Sequence, residues 1–297
     1  LHRHVRDLCS FLKPNDVLVI NHTRVLPARL RARRSTGGAV EILLLNQLSN
    51  DAVSWEAMIK PGGKLREGEL LSIKQSEMRV EVGERTIHGD TFVIKLLAPD
   101  VLAELLRVGE VPLPPYITQT LQDAERYQTV FSHDQRSAAA PTAGLHFTPE
   151  LMAKIVAKGV TVETVELVVG LDTFKPISAD DPLDHLIHSE FYSVDQRVMD
   201  ACRDAKRVIA VGTTATRALE SVAASGQLSG RTSLFITPGF EWKVVDLMLT
   251  NFHLPKTSLL LMIESFIGPR WRDIYAEAIS QQYRFLSFGD AMLLARS

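Results

Sequence analysis

Val208-Ile209-Ala210-Val211-Gly212-Thr213-Thr214-Ala215-Thr216-Arg217 is the stretch whose reading decides the fold. Its first four residues are apolar and mostly β-branched, so they read as a buried strand. Gly212 and the threonines mark the hand-over to a helix predicted over 213–224. A buried strand handing over to a helix is the texture of an α/β domain. Outward from it the same alternation recurs. Residues 17–20 read as a second buried strand, 160–169 as a strand ending at Gly170, and 195–205 as a helix. Strands are expected at 234–236, 244–250 and 292–294, and helices at 258–268 and 273–282. Residues 1–12 read as the end of a helix.

Between about 30 and 97 the texture changes. Short alternating runs at 40–45, 55–59, 70–73, 78–82 and 91–97 are separated by glycine-containing turns such as Pro61-Gly62-Gly63 and Glu67-Gly68. Short strands at that spacing predict a small all-β barrel. A helical run at 100–109 follows, then the stiff connector Val111-Pro112-Leu113-Pro114-Pro115-Tyr116. The fold expected is therefore an α/β domain, 1–27 and 112–297, with an inserted β-barrel domain, 28–111.

Composition places the chain among ordinary globular proteins: 297 residues, 45% hydrophobic, 23% charged, net charge -2. That balance predicts no bulk attraction to nucleic acid, so such a partner would need a local basic patch. Cys9 and Cys202 form no CxxC or zinc knuckle, and two lone cysteines suit a reducing cytoplasm. The longest apolar run, 258–263, is cut by Glu264, so no membrane span is expected, and no signal peptide is read. A chain starting at Leu1 is expected to lack an N-terminal piece.

Several stretches could carry chemistry. Ala139-Ala140-Pro141-Thr142-Ala143-Gly144-Leu145-His146-Phe147-Thr148-Pro149-Glu150 joins small residues and a histidine to a helix start capped by Thr148. Gly144 would leave backbone bare for a ligand, or serve a tight turn; His146 titrates near neutrality. The Gly212–Thr214 corner is an anion site by its free N–H groups and dipole, with Arg217 one turn in, or else a helix simply capped by Thr213. His185-Leu186-Ile187-His188-Ser189-Glu190 has histidines at metal-ligand spacing but no HExxH pattern, so acid/base or hydrogen-bonding work suits it better. Thr250-Asn251-Phe252-His253-Leu254-Pro255, the 170–176 loop and 283–290 add polar groups at strand ends, where α/β sheets bind ligands. Arg29, Arg31, Arg33 and Arg34 fall mostly onto one face if this stretch continues as a strand, as a phosphate patch or a charged edge.

Together the motifs PTAGLHF, NxTRVLPAR, VGTTATRALES, TNFHLP, HLIHSE and YRFLSFGDAM closely resemble those of the S-adenosylmethionine:tRNA ribosyltransferase-isomerase family of queuosine biosynthesis. The resemblance runs from about residue 5 to 294. It implies an α/β fold with an inserted barrel. It also implies transfer and isomerisation of the ribosyl moiety of S-adenosylmethionine onto 7-aminomethyl-7-deazaguanine at the tRNA wobble position. Epoxyqueuosine is formed; adenine and methionine leave. S-adenosylmethionine is then a substrate, no metal or other cofactor is expected, and the partner is a tRNA anticodon stem-loop met by a cytoplasmic monomer.

On the resemblance, His146 or His253 is assigned to proton transfer, with His188 and Glu190 in support. Thr142, Gly144, Thr213, Thr214, Arg217, Asn251 and Asp290 are assigned to substrate, and Phe174 or Phe252 to the sulfonium or adenine. Arg24, Arg29, Arg31, Arg33, Arg34, Lys60 and Lys64 are the candidate tRNA contacts. His22, where the family usually has Asn or Asp, and Asp172, where Gly is common, are departures. A nucleotide- or RNA-binding module without chemistry and a metal-dependent hydrolase built on His146, His185, His188 and His253 are the rival readings.

Overall fold

The computed structural model of the chain describes residues 1–49, 52–86, 91–114, 116, 117, 121, 123–170, 187 and 189–297. The expectations placed on His185, His188, Asp172 and Phe174 lie outside these residues. In chain order the strands are β1 (Asp16–Asn21), β2 (Thr23–Val25), β3 (Arg29–Arg33), β4 (Ala39–Gln47), β5 (Ser54–Lys60), β6 (Leu70–Ile73), β7 (Arg79–Arg85), β8 (Thr91–Leu97), β9 (Asp134–Ser137), β10 (Thr161–Leu167), β11 (Glu190–Ser193), β12 (Arg207–Val211), β13 (Ser229–Thr232), β14 (Leu247–Asn251) and β15 (Ala291–Ala295). The α-helices are α1 (Val101–Val108), α2 (Pro149–Ala157), α3 (Gln196–Asp204), α4 (Gly212–Ser225), α5 (Ser258–Ile267) and α6 (Trp271–Ser280). Two compact units result, Leu1–Arg24 with Leu121–Ser297, and Val25–Thr120.

The first unit is built on a seven-stranded sheet in the order β13-β11-β10-β1-β12-β14-β15. Its centre, β10-β1-β12-β14, is parallel, and the flanking pairs are antiparallel. Period-two alternation divides the central strands between two cores. Val17, Val19, Val208, Ala210 and Met248 face one core with α4 and α5, while Leu18, Ile20, Ile209, Val211 and Leu249 face the other with α2. That double burial is why β1 is buried at every position. Thr148 caps α2 through its hydroxyl, with Pro149 at the first helical position. Gly226, at φ 73°, ends α4 in the left-handed region that its missing Cβ permits.

Two sequence expectations are corrected here. Residues 1–12 hold a short 3-10 helix, Val5–Ser10, rather than an α-helical end. The strand expected at 234–236 lies earlier, as β13, because Ser229–Thr232 supplies the main-chain partners of β11. Arg217 then donates to the Thr232 carbonyl (3.1 Å), and the Thr232 hydroxyl takes the Leu234 N–H (3.1 Å), which turns the chain off the sheet.

The second unit is a closed antiparallel barrel in the order β3-β4-β5-β8-β7-β6. Pairing of Ala32 with Ile73 and of Arg33 with Ser72 completes the ring. Alternate residues fill it: Leu30, Ile42, Leu44, Ala57, Leu71, Val80 and Val82 are all fully buried.

Candidate active site

The carboxyl edge of the parallel strands gathers the polar residues. At the end of β14, Asn251 points its carboxamide at the 3-10 turn Thr142–His146. The Thr142 hydroxyl donates to Asn251 Oδ1 (3.1 Å), so the amide nitrogen Nδ2 is the group that faces His146 Nε2 (3.0 Å). An amide nitrogen only donates, so Nε2 accepts and a neutral His146 carries its proton on Nδ1. Burial pushes His146 below the usual histidine range; nearby Asp290 opposes that push and Arg284 adds to it. At neutral pH the ring is therefore uncharged.

The start of α4 lies beside this turn, with a Cβ built on Gly212 only 3.5 Å from Ala143 Cβ. No side chain caps the helix, so the capping role read for Thr213 is not realised. The Thr214 hydroxyl is buried without a hydrogen-bond partner, and Gly212 has φ 88°. Uncapped N–H groups, the positive end of the dipole and an idle hydroxyl make a site for an anionic or strongly polar ligand. The bareness of Gly144 serves another purpose: a Cβ there would sit 2.7 Å from Phe131 and from Thr129. On that side the backbone is packed by protein rather than open to a ligand.

Other expected residues turn away from this corner. The Arg217 guanidinium is buried, donating to Glu190 Oε2 (2.6 Å) and to the Thr232 carbonyl. Its charge is committed to an internal ion pair instead of standing one turn inside the anion site. Glu190 is equally committed, accepting also from the Gly170 N–H (3.1 Å). The Phe252 ring lies among Tyr275, Tyr283 and Phe285, at centroid distances of 5.4, 5.6 and 5.1 Å. His253 is buried, its Nε2 3.0 Å from the Thr250 hydroxyl and its backbone N–H on the Tyr275 oxygen. Burial holds its pKa down to about 4. Asp290 stays at the site's rim, taking the Arg284 N–H (2.7 Å).

The cationic residues divide by what neutralises them. Arg24 pairs with Glu125 and contacts Ser132. Arg31 grips Glu110 in bidentate fashion (2.6 and 3.0 Å), and Arg34 grips Glu69 (2.6 and 2.8 Å). Arg29 lies 3.8 Å from Glu41. Arg33 and Lys74 are exposed and line, with Arg31 and Glu41, a cavity of about 280 Å³ on the barrel wall. Lys60 and Lys64 are exposed as well. Reading the arginines by alternation missed Lys74 and the carboxylates of Glu69 and Glu110, because these come from distant strands or loops.

The fold and this corner define a class: an α/β protein with an inserted closed barrel and a cluster of polar side chains at the carboxyl edge of its parallel strands. Within that class the chain belongs to the queuosine biosynthesis protein family, whose family model matches residues 1–294. It is 47% identical to the S-adenosylmethionine:tRNA ribosyltransferase-isomerase of Symbiobacterium thermophilum, over 99% of this chain and 88% of that one. It is 44% identical to the protein of the same name from Desulforamulus reducens, with the same coverage. The crystal structure of S-adenosylmethionine tRNA ribosyltransferase from Thermotoga maritima is 34% identical. It matches 99% of this chain and 87% of its own, with a TM-score of 0.51.

Buried His253 makes stability depend on pH. Its folded pKa of about 4 lies below the ordinary 6.5, so the unfolded chain binds the proton first. Stability is complete above pH 6.5 and falls by roughly 3 kcal/mol as pH drops towards 4. Urea midpoints measured across that window should fall more steeply for the parent than for His253→Gln; parallel slopes would contradict this.

Proposed function

We propose that the chain is an S-adenosylmethionine:tRNA ribosyltransferase-isomerase, moving and rearranging the ribosyl group onto 7-aminomethyl-7-deazaguanine at the wobble position of tRNA. Epoxyqueuosine is the product, with adenine and methionine released. The observation that carries this reading is the neutral His146, clamped by Asn251, beside an uncapped α4 start with an idle Thr214 hydroxyl.

The sulfonium of S-adenosylmethionine acidifies the C5′ hydrogens, so a modest base suffices. A neutral imidazole is the form that accepts such a proton, and His146 is neutral near pH 7. Asn251 must release Nε2 for that acceptance. The imidazolium then formed is the form that gives a proton to departing adenine. Asn251 and Thr142 act as positioning residues, and Thr213 and Thr214 receive the methionine carboxylate at the α4 dipole. His253, buried and bonded to Thr250, suits packing better than proton transfer, which leaves His146 as the favoured proton carrier. His188 and Phe174 remain assigned to the same reaction, with Asp290 tuning His146. Arg217 holds Glu190 in place. No metal or recycled cofactor is required by these steps.

The second substrate is the tRNA anticodon stem-loop, whose wobble base lies in a single strand and everts at low cost. Arg33 and Lys74, exposed on the barrel wall, supply phosphate contacts; Arg24, Arg29, Lys60 and Lys64 are assigned to the same task. The chain is assigned to the cytoplasm, as a monomer; among the described residues no helix is long and apolar enough to cross a membrane.

Adenine release from S-adenosylmethionine, measured with tRNA carrying the aminomethyl base beside tRNA carrying guanine, tests the activity. Release only with the former is expected, and none with either sinks the reading. His146→Ala should lower the single-turnover rate by about 100-fold or more while the protein stays folded; a near-normal rate removes His146 from the mechanism. For tRNA binding, Arg33→Gln with Lys74→Gln should flatten the plot of log K against log salt by about one to two. Arg31→Gln should change it less, and the reverse order would place the patch elsewhere.

A further inference from the structure

His22, His133 and Asp134 form a cluster that the proposed reaction does not use. The Asp134 carboxylate bridges two imidazoles: Oδ2 lies 3.0 Å from His22 Nε2, and Oδ1 lies 3.2 Å from His133 Nδ1. The rings stack with centroids 4.4 Å apart and planes 10° from parallel. One ligand-type atom from each residue can be chosen so that all lie within 4.8 Å of one another.

The backbone holds these groups in place before anything binds. His22 follows β1 directly and donates its N–H to the Val165 carbonyl (3.1 Å). His133 donates its own N–H to the His22 carbonyl (3.1 Å), and Asp134 begins β9. Ligands fixed on paired main chain lose little freedom on capturing an ion. Donors bound at about 2.0–2.1 Å to a tetrahedral centre are separated by about 3.3 Å. The 3.0 and 3.2 Å contacts already approach that spacing. His22 Nδ1 is buried with no hydrogen-bond partner. His133 and Asp134 are 63% and 49% exposed, which leaves an open approach from solvent.

We propose that His22, His133 and Asp134 constitute a binding site for a first-row transition-metal dication of the zinc class, with at least one coordination position left to water or an external ligand. Two imidazoles and one carboxylate select zinc, cobalt or nickel over magnesium or calcium, which favour oxygen throughout. The site sits beyond the carboxyl end of β1, outside the His146–Asn251 network, and stands independently of the proposed reaction.

The test is a titration of the full chain, stripped with chelator, by calorimetry with Zn²⁺ and by the visible spectrum of Co²⁺. One saturable equivalent is expected, with His22→Asn and His133→Ala each weakening it about tenfold or more. His2→Ala removes the imidazole beside Glu277 and should leave binding unchanged. Circular dichroism confirms that each variant is folded. Absence of saturable binding, or binding unaltered in both cluster variants, overturns the site. Displacement by an equal concentration of Mg²⁺ overturns the assignment of nitrogen donors.

Discussion

A carboxamide offers one acceptor and one donor edge, and at Asn251 both are spent on the same turn. Thr142 occupies the oxygen and His146 the nitrogen, which leaves the histidine a single neutral tautomer. The rest of the arrangement serves that constraint. β14 delivers Asn251 to the carboxyl edge, and the 3-10 turn brings Thr142 and His146 across to meet it. Burial keeps the ring uncharged at the pH where a base is needed.

The sheet makes this meeting possible because its two faces are covered by different parts of the chain. α4 packs on one face through Ala215 and Ala218, while the 142–147 segment packs on the other through Ala143 and Phe147. Only at the carboxyl edge can elements from both faces approach each other, as Gly212 and Ala143 do. The uncapped helix start and the histidine thus share a corner through topology, not sequence proximity. Glu220 tightens the opposite end of the same helix. Its buried carboxylate accepts the N–H groups of Lys243, Val244 and Val245, tying the approach to β14 onto α4.

Much of the fold was readable in the residues. Apolar, mostly β-branched runs such as Val17–Ile20 and Val208–Val211 signalled buried strands, and the glycine-spaced alternation through the barrel signalled short strands closing on themselves. The edge strand β13 was not readable, because Ser-Gly-Arg-Thr carries no apolar alternation and takes its place only from the main-chain partners in β11. At the site, residue types pointed to the right loops but not to their directions. Asn251 and His253 stand two apart, yet one reaches His146 while the other is enclosed beside Tyr275. Arg217 looked like a ligand cation because its partner Glu190 is 27 positions away in the chain. The stacking of His22 on His133 rests on pairings between remote segments, which no local pattern announces.

The most direct measurement is the ¹⁵N spectrum of the His146 imidazole in the free protein near pH 7. The account predicts a neutral ring with its proton on Nδ1 and a hydrogen-bonded, unprotonated Nε2, and loss of that state in Asn251→Asp. A ring protonated at Nε2, or an imidazolium at that pH, would contradict it.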